Sequence, residues 1–552
     1  MTVRPLPHAA LGASALFEAY AAGRPEALAF YGRAPGDAGL VAAAEAAAAG
    51  PSRAHRAAVA DVLAEQNRTW GAGDAVGTEA VLALVDRLRG PDAVTVVTGQ
   101  QLGLFAGPLY TVYKALTAVR TAAHIEALTR RPAVPVFWLA DEDHDFAEVR
   151  EAVFTDGARV RTAAYDDGRP FDGPRPPVGH IVLDADRLAA TFAELERALP
   201  AGPHRAQALA LARDAYRAGR TMRDAFAVLL RALAPGLVLM SADDARLKRL
   251  AVPVLAREAA GWRETAYVLD AQSARLAAAG LHAQVSPSPL GLFWTDDAGL
   301  RRPVDPLGDA PGGEPGGVTL RGTDVRWAPA EWTRRVAERP ERVSPNVVIR
   351  PLVQDTLLPT AAYVAGPGEA AYYAQLTPVY AAFGVPMPAI VPRISLTLVE
   401  PGIRKTLDRD GLSLPDLRGR LDGLWARLAL AASDAPAAFV DAYDDIDALA
   451  DRLDRATASV DGSLAGAAGA ARQALRDAVA RLETKTVRVE KRRHADVRAR
   501  LDRAQAALWP GGTLQERALS PLQIVARHGL KALSNAVAAV PLDGSAHHIV
   551  DL

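Results

Sequence analysis

"VVTGQQLGLFAGPLYTVYKAL", residues 96–116, joins an apolar β-branched run to a helical pattern through a loop rich in glycine. Proline is favoured in the first turn of a helix, so the helix is predicted to begin near Pro108. Free N–H groups at a helix N-terminus form an anion site, and glycine lets backbone approach a ligand closely. The stretch therefore predicts a nucleotide- or anion-binding loop formed by Gly99, Gln100, Gln101, Gly103, Tyr110 and Lys114. A tight structural turn is the alternative.

Four more short apolar runs follow the same plan, each ending at a loop and leading into a helical pattern. With the first run, at 93–98, they lie at 134–140, 236–242, 361–366 and 388–392. Short runs that alternate with helices are typical of parallel strands buried on both faces. The sequence therefore predicts an α/β fold with an open parallel sheet.

The predicted core covers residues 1–395 and includes N-terminal helices. Two long intervals, at about 155–225 and 262–345, interrupt the alternation and are predicted to be insertions packed beside the sheet. Within the second, the Pro- and Gly-rich segment 306–317 is predicted to be a mobile surface loop.

Residues 396–510 are predicted to form a separate helical domain, and residues 511–552 to return to the core. Leucine and valine recur at coiled-coil spacing between 470 and 508, with a shift of one residue across "EKRRH", 490–494. This pattern indicates a coiled coil or a long antiparallel hairpin with a discontinuity. An amphipathic helix on its own domain and a dimer-forming helix are both compatible with it.

Composition limits the classes of function. The net charge is -1, so no overall field attracts nucleic acid or a membrane surface, and neither is expected as a partner. The first residues lack the apolar segment of a signal peptide, and a cytoplasmic location is expected. The chain has no cysteine, which excludes disulfides, cysteine metal sites and a thiolate nucleophile.

A second group of polar residues, "FWLADEDHDFAEV" at 137–149, follows a predicted buried strand directly. Ligands of open α/β sheets bind at the carboxyl ends of the strands. A histidine beside carboxylates is a candidate general base or hydrogen-bond donor, so His144 and Asp143 are candidate catalytic residues and Asp145 a substrate-binding one. Only one histidine is local, and no metal site is predicted. A solvated acidic loop that caps the next helix is the alternative.

A third group lies in "SPNVVIRPLVQDTLLPTAAYVAGPGEAAYYAQL", 344–376. An arginine in apolar surroundings needs an anionic partner, from the protein or from a ligand. A glutamate at a helix start either complements the helix dipole or holds a substrate amine. The predicted substrate-binding residues are Asn346, Arg350, Gln354, Glu369, Tyr373 and Gln375.

These three stretches, with "PRISLTLVEPGIRK" and "LQERALSPLQIVARHG", together resemble the bacillithiol-biosynthesis cysteine-adding enzyme family, the cysteine ligases. The resemblance runs from about residue 15 to the C-terminus. It implies a Rossmann-like core and a coiled-coil domain that pairs two subunits. It also implies a reaction that joins L-cysteine to the amine of glucosaminyl malate, giving bacillithiol.

The H-x-G-H and K-M-S-K-S signatures of adenylate-forming synthetases are absent from the sequence. ATP or another nucleotide is therefore expected from the chemistry of amide formation and not from a motif, and a role for Mg²⁺ is left open. Two other functions fit the sequence: an adenylate-forming nucleotidyltransferase with another amine acceptor, and a non-catalytic nucleotide-binding coiled-coil scaffold.

Overall fold

The computed structural model describes residues 1–170, 175–286, 290–308, 316–431 and 434–552. The described chain divides into two compact units. The first contains residues 1–156, 161–398 and 515–552, and the second contains residues 157–160 and 399–514. The first unit is thus discontinuous in sequence.

The strands are numbered in chain order. They are β1 (Val3–Leu6), β2 (Val94–Gln100), β3 (Ala133–Leu139), β4 (Glu151–Asp156), β5 (Arg159–Ala164), β6 (Val238–Ser241), β7 (Leu292–Thr295), β8 (Arg301–Pro306), β9 (Val318–Leu320), β10 (Arg326–Trp327), β11 (Val343–Pro345), β12 (Thr360–Ala365), β13 (Ala389–Pro392), β14 (Ser395–Val399) and β15 (His547–Asp551).

The helices are numbered in the same way. They are α1 (Ala15–Ala21), α2 (Pro25–Leu28), α3 (Asp37–Ala49), α4 (Arg56–Trp70), α5 (Ala75–Arg87), α6 (Leu109–Thr129), α7 (Phe146–Val149), α8 (Ala185–Ala198), α9 (Arg205–Ala215), α10 (Met222–Leu233), α11 (Ala245–Leu250), α12 (Val252–Ala278), α13 (Pro329–Glu338), α14 (Arg350–Leu357), α15 (Pro367–Phe383), α16 (Pro401–Asp410), α17 (Asp422–Leu430), α18 (Ala435–Ala458), α19 (Ala465–Arg493), α20 (Ala495–Leu508), α21 (Gln515–Ala518), α22 (Pro521–His528) and α23 (Ala532–Ala539).

A five-stranded sheet with the order β13-β12-β2-β3-β6 forms the centre of the first unit. All its neighbouring strands are parallel, and its apolar residues are buried. The five apolar runs identified in the sequence supply its five strands, so the predicted parallel sheet is confirmed. Because parallel strands end at the same edge, the loops after β2, β3, β12 and β13 lie close together.

The second insertion contains an antiparallel sheet with the order β10-β9-β8-β7-β11. Its strands have two to six residues and include Pro303, Pro306 and Pro345, so they lack the long apolar runs by which the parallel strands were recognised. Trp294, Trp327 and Trp332 pack together in this insertion, two of them stacked at 5.7 Å between ring centroids. Residues 309–315, at the centre of the predicted mobile loop, lie outside the described residues.

The C-terminal segment joins a third sheet, with the order β1-β15-β14. β1 and β15 are antiparallel, with Val3 opposite Val550. Between α21 and β15, helices α22 and α23 add Leu522, Val525 and Leu533 to the buried apolar cluster that also contains Tyr113 of α6. Residues near the end of the chain therefore belong to the core of the first unit.

The second unit is helical. α18 and α19 form an antiparallel-hairpin-like pair linked by ion pairs, with Arg476 Nη1 2.7 Å from Asp447 Oδ2 and Arg472 bonded to Asp451. Two aspartates of the acidic stretch of α18 are therefore paired within the same chain. Helix α19 ends at Arg493 and α20 begins at Ala495, so the discontinuity predicted across 490–494 is present at His494.

Apolar residues at the predicted coiled-coil spacing differ in burial. Leu475 and Leu482 of α19 are 42% and 58% exposed, whereas Leu501 of α20 is fully buried. Leu501 is therefore a core residue of its own unit, and only the α19 part of the apolar pattern faces outward.

Within the described ranges, no helix is long and apolar enough to cross a membrane.

Candidate functional site

A cavity of about 590 Å³ lies at the carboxyl edge of the parallel sheet, and all its lining residues belong to the first unit. Four strand ends contribute to it: residues 99–101 at the end of β2, residues 140, 142 and 143 after β3, residues 366–369 after β12, and Arg393 after β13. This volume falls within the range of pockets that bind metabolites and cofactors.

The structure brings together nine of the residues predicted from the sequence. They line the cavity and are Gly99, Gln100, Gln101, Tyr110, Lys114, Asp143, Asn346, Arg350 and Glu369. Six others lie outside this lining: Gly103, His144, Asp145, Gln354, Tyr373 and Gln375.

The ammonium of Lys114 has protein acceptors for all three of its hydrogens. Nζ is 2.9 Å from Gly99 O and 2.9 Å from Gln100 Oε1, and it forms an ion pair with Glu369. Burial lowers the pKa of Lys114, and Glu369 opposes that effect only in part. Because an ammonium has three donors, none remains for a ligand in this arrangement. Lys114 therefore holds the loop after β2 and the Glu369 carboxylate in place.

Glu369 lies at the start of α15. Its Oε2 accepts from Gly366 N at 2.8 Å, and its Oε1 accepts from Tyr363 OH at 2.8 Å. Burial raises the pKa of Glu369, but the ammonium of Lys114 and these hydrogen bonds outweigh burial, so the pKa lies below its usual value. Glu369 thus faces the cavity as a carboxylate.

Two glycines of the opening loop are required by contacts within the protein. A Cβ on Gly103 would lie 2.1 Å from Gly107 O, and one on Gly99 would lie 2.9 Å from Trp138 O. Real Cβ atoms do not approach backbone oxygens so closely, so a side chain would displace the turn or the neighbouring strand. The turn itself explains Gly103, and the geometry does not support a ligand contact there.

Arg350 begins α14, and no carboxylate of the described residues forms an ion pair with it. Its Nη1 donates to Gln354 Oε1 at 3.0 Å, and Nη2 lies 3.4 Å from Tyr372 OH. The guanidinium also lies over the rings of Trp138 and Tyr363, at 6.0 and 5.6 Å. An arginine so enclosed by aromatic rings and open to a cavity is suited to bind an anionic group of a ligand.

The loop after β3 gives the cavity an acidic edge, formed by Glu142 and Asp143. Glu142 Oε1 lies 2.8 Å from Lys248 Nζ, which is also 2.6 Å from Asp243. Although burial opposes it, these two carboxylates raise the pKa of Lys248, so the lysine stays charged. The ammonium therefore forms an ion pair with Glu142 in the cavity wall.

Asp143 is held by hydrogen bonds from the loop after β2. Gln101 Nε2 donates to its Oδ2 at 2.7 Å. Burial raises the pKa of Asp143, but this hydrogen bond and the nearby Arg301 guanidinium outweigh burial and hold the pKa below its usual range. Gln101 therefore serves to position an acidic side chain.

His144 lies beside the cavity lining, between Asp143 and an arginine of the insertion sheet. Its Nδ1 is 3.6 Å from Asp143 Oδ1 and 3.2 Å from Arg301 Nη1. Asp145 follows it and caps α7, where its Oδ1 accepts from Glu148 N at 3.3 Å. Asp145 thus has the helix-capping role that the sequence left open as the alternative.

Three residues predicted to bind substrate make their hydrogen bonds or packing contacts in the core. Gln354 accepts a hydrogen bond from Arg350 and donates one to Asp355, so it helps to fix the position of the guanidinium. Gln375 donates to Val285 O and Ser273 Oγ, both at 2.9 Å. Tyr373 is fully buried and stacks on Tyr372. These contacts correct the prediction of direct substrate binding by the three side chains.

Two further arginines line the cavity, Arg393 after β13 and Arg517 in the C-terminal segment. Arg393 is paired with Glu516 in the buried interior and lies over the ring of Tyr110 at 5.5 Å. Next to Glu516, Arg517 is exposed and lines the cavity. Among the described lining residues, Arg350 and Arg517 are the cations that form no ion pair with a carboxylate.

Sequence reasoning missed several lining residues: Trp138, Glu142, Phe293, Arg301, Tyr363, Tyr372, Arg393 and Arg517. Phe293 and Arg301 come from β7 and β8, inside an insertion predicted only to pack beside the sheet. One feature of the sequence could have indicated Arg517 as a site residue, because it follows a glutamate in a segment otherwise rich in apolar residues.

In the part of the chain that the structure describes, no three histidine, aspartate or glutamate side chains are grouped as metal ligands.

Comparison with known proteins gives matches along the whole chain. The profile described as "Bacillithiol biosynthesis BshC, N-terminal Rossmann-like domain" matches residues 1–394, and "Bacillithiol biosynthesis BshC, C-terminal coiled-coil domain" matches residues 396–552. These matches confirm the Rossmann-like fold and the coiled-coil domain that the resemblance implied.

Several curated proteins named "Putative cysteine ligase BshC" are similar to the chain. That of Salinibacter ruber is 40% identical over 513 residues, covering 92% of this chain and 91% of the relative. That of Symbiobacterium thermophilum is 33% identical over 524 residues, 90% of each chain. That of Chlorobaculum tepidum is 32% identical over 516 residues, 90% of this chain and 89% of the relative.

Proposed function

The chain belongs to the bacillithiol-biosynthesis BshC family and is a ligase, and from this premise we propose that it joins the carboxyl group of L-cysteine to the amine of glucosaminyl malate. The observation that carries the proposal is the set of charged side chains in the cavity. Glu142 and Asp143 line it, as do Arg350 and Arg517, which form no ion pair with a carboxylate of the described residues.

The acidic edge suits the amine of the acceptor. An amine reaches the cavity mostly as an ammonium ion, and the carboxylates of Glu142 and Asp143 stabilise that cation. Amide formation then requires the ammonium to lose a proton before its nitrogen attacks. Two reactants held in fixed positions react far faster than free ones, so binding the amine at this edge contributes directly to the rate.

The two arginines suit the anionic groups of the substrates. Both substrates carry carboxylates, and arginine binds a carboxylate through two parallel hydrogen bonds. Arg350 is enclosed by Trp138 and Tyr363, whereas the Arg517 side chain is exposed. The enclosed arginine is therefore assigned to a substrate carboxylate, and the exposed one to a group that enters and leaves during the cycle.

The residues present also fit a nucleotide. Gly366 and Gly368 line the cavity at the start of α15, and no atom lies within 4 Å of a Cβ built on Gly368. Open space at a helix N-terminus, in a cavity that Arg517 also lines, suits phosphate groups. Because Gly366 N already donates to Glu369, Gly368 and Arg517 would hold the phosphates of ATP, which would supply the group that activates the cysteine carboxylate. Mg²⁺ would arrive with the phosphates, as is usual for nucleotide-dependent enzymes.

The family resemblance and the exposed leucines of α19 support a homodimer formed through the coiled-coil domain. Leu475 and Leu482 are exposed in the single chain, although leucine at coiled-coil spacing is normally buried against a partner helix. A second copy of the chain is the proposed partner. A cytoplasmic location is part of the proposal, since the proposed substrates and nucleotide are charged small molecules.

Incubation of the protein with L-cysteine, glucosaminyl malate and ATP, followed by mass spectrometry, tests the proposal. Bacillithiol should form only when all three are present, and release of ADP or AMP identifies the group transferred. A cysteine adduct with another amine, but not with glucosaminyl malate, would favour a different acceptor. Absence of any amide product with every nucleotide tried would reject the ligase assignment in this form.

A further inference from the structure

Arg301 of β8 is fixed by contacts on several sides. Its Nε donates to Ser344 Oγ at 2.8 Å, and its Nη2 donates to Pro345 O at 3.1 Å. The guanidinium also lies 3.5 Å above the ring of Phe293. These contacts fix both the position and the plane of the guanidinium. Its remaining nitrogen, Nη1, contacts another residue.

That partner is the imidazole of His144, whose Nδ1 lies 3.2 Å from Arg301 Nη1. An arginine in a protein is always protonated and can only donate hydrogen bonds. The contact is therefore favourable only when Nδ1 carries a lone pair. In a neutral imidazole with an unprotonated Nδ1, the single proton resides on Nε2.

The carboxylates near His144 compete weakly with Arg301 for Nδ1. Asp143 Oδ1 is 3.6 Å from Nδ1, beyond hydrogen-bond distance, and it already accepts from His144 N at 2.8 Å. The other oxygen of Asp143 accepts from Gln101. Asp145 is the remaining charged group near the ring, and it caps α7. A second proton on Nδ1 would face the guanidinium directly.

We propose that Arg301 is a positioning residue that holds His144 as a neutral imidazole with its proton on Nε2, so that His144 donates a hydrogen bond during the reaction and is not the general base. The part of this inference that concerns catalysis rests on the proposed ligase function. Such a donor stabilises the negative charge that develops on an oxygen of the reacting carbonyl or phosphate.

If His144 is a donor, a carboxylate of the acidic edge accepts the proton that the ammonium of the substrate loses. Glu142 is such a carboxylate in the cavity lining. Burial lowers the pKa of His144, and the Arg301 guanidinium lowers it further, against the opposing effects of Asp143 and Asp145. These effects agree with a neutral ring at pH 7. The insertion sheet thus contributes to the chemistry through Arg301 and does not merely cover the core.

The first experiment is independent of catalysis. The full chain is labelled with ¹⁵N at histidine, and His144→Gln identifies the His144 signals. In the wild type, Nδ1 should show the shift of an unprotonated nitrogen at pH 7, with a midpoint below 6.5. Arg301→Met should raise that midpoint by half a unit or more, and Arg301→Lys should raise it less. A protonated Nδ1 at pH 7 in the wild type, or an unchanged midpoint in Arg301→Met, would overturn the proposal.

The second experiment separates donor from base by turnover. A glutamine amide places an N–H donor near the position of Nε2 but cannot accept a proton, whereas alanine provides neither function. His144→Gln should therefore turn over at least tenfold faster than His144→Ala. Equal rates for the two variants would overturn the donor role. If the wild type forms no amide at all, the ligase proposal fails, while the nitrogen shifts still decide the state of His144.

Discussion

The carboxylate of Glu516 accepts hydrogen bonds from both terminal nitrogens of Arg393, at 2.9 Å from Nη1 and 2.5 Å from Nη2. Ser395 Oγ and Leu396 N donate to the same carboxylate, at 2.9 and 3.1 Å. This buried pair ties the C-terminal segment to the loop after β13. It also places Arg517, the next residue, beside the cavity.

Glu516→Gln should destabilise the protein by about 3 kcal/mol or more, because it leaves the buried guanidinium of Arg393 without a countercharge. Urea unfolding at pH 7 measures this change. The matched control is Glu338→Gln, which breaks an exposed ion pair with Arg334 and should cost about 0.5 kcal/mol or less. Equal effects of the two substitutions would contradict the importance assigned to the buried pair.

Arg350→Lys should raise KM for at least one substrate tenfold or more, which corresponds to about 1.4 kcal/mol of binding. Lysine keeps the charge but loses the planar fork and the stacking on Trp138 and Tyr363. Steady-state kinetics with each substrate varied in turn provides the measurement. Arg302→Lys is the control, because Arg302 is paired with Asp296 and lies outside the cavity lining. Unchanged KM values in the Arg350 variant would remove Arg350 from the binding site.

Gly103 and Gly368 distinguish a structural glycine from one beside the ligand. Gly103→Ala should lower the stability by about 2 kcal/mol, since its Cβ would overlap Gly107 O. Gly368→Ala should leave the stability nearly unchanged, because its Cβ would enter open space, but it should weaken nucleotide binding. Thermal unfolding and calorimetric titration test both variants. A stable Gly103→Ala protein with impaired binding would restore the ligand role of Gly103.

Acid should destabilise the first unit through His547, whose Nδ1 lies 2.8 Å from Ser395 Oγ and Nε2 2.9 Å from Thr397 Oγ1. Burial lowers the pKa of His547 to about 4, below the usual 6.5. The unfolded chain therefore binds the proton first, and stability falls as the pH drops from 6.5 toward 4.

Between pH 6.5 and pH 5 the loss should be about 2 kcal/mol, at 1.36 kcal/mol per pKa unit. His547→Gln should flatten this part of the stability profile, measured by urea unfolding at several pH values. The control is His282→Gln, at an exposed position outside this network. An unchanged slope in His547→Gln would show that other groups cause the acid sensitivity.

Changing both Leu475 and Leu482 to Glu should convert a dimer into monomers, because charged side chains would be buried at the proposed interface. Analytical ultracentrifugation at micromolar concentration measures the state. Leu128→Glu, at an exposed site of the first unit, should leave the dimer intact. Leu501 is unsuitable for this test, since its burial within its own unit means that Glu there would unfold the domain. A wild-type monomer, or a double variant that stays dimeric, would reject the interface.

The parallel sheet could be predicted because each strand is a short apolar run followed by a helix. The strands buried on both faces must be apolar throughout, and this requirement is visible in one sequence. The insertion sheet gave no such signal. β8, "RRPVDP", has one buried residue, Val304, and its pairing with β7 and β9 depends on partners distant from any local pattern.

Within the site, the sequence indicated which loops meet but not which atoms are already paired. Lys114 and Arg350 are both cations beside apolar residues in the sequence. The structure shows that Lys114 has three protein acceptors, whereas Arg350 has no carboxylate partner in the ranges that the structure describes. Such pairing depends on residues far apart in the chain, and Glu369 and Glu516 could not be assigned to their cationic partners from local spacing.

The discontinuity of the first unit has a consequence for protein synthesis. A ribosome completes residues 399–514 before α21 and β15 emerge. During this time the nascent first unit lacks its last helices and its last strand. During this interval Arg393 lacks the carboxylate of Glu516, and β14, with all five residues apolar or uncharged, lacks its neighbour β15. Unpaired apolar strands promote aggregation of incomplete chains. The synthesis of residues 399–514 is thus the period in which this protein most needs protection by chaperones.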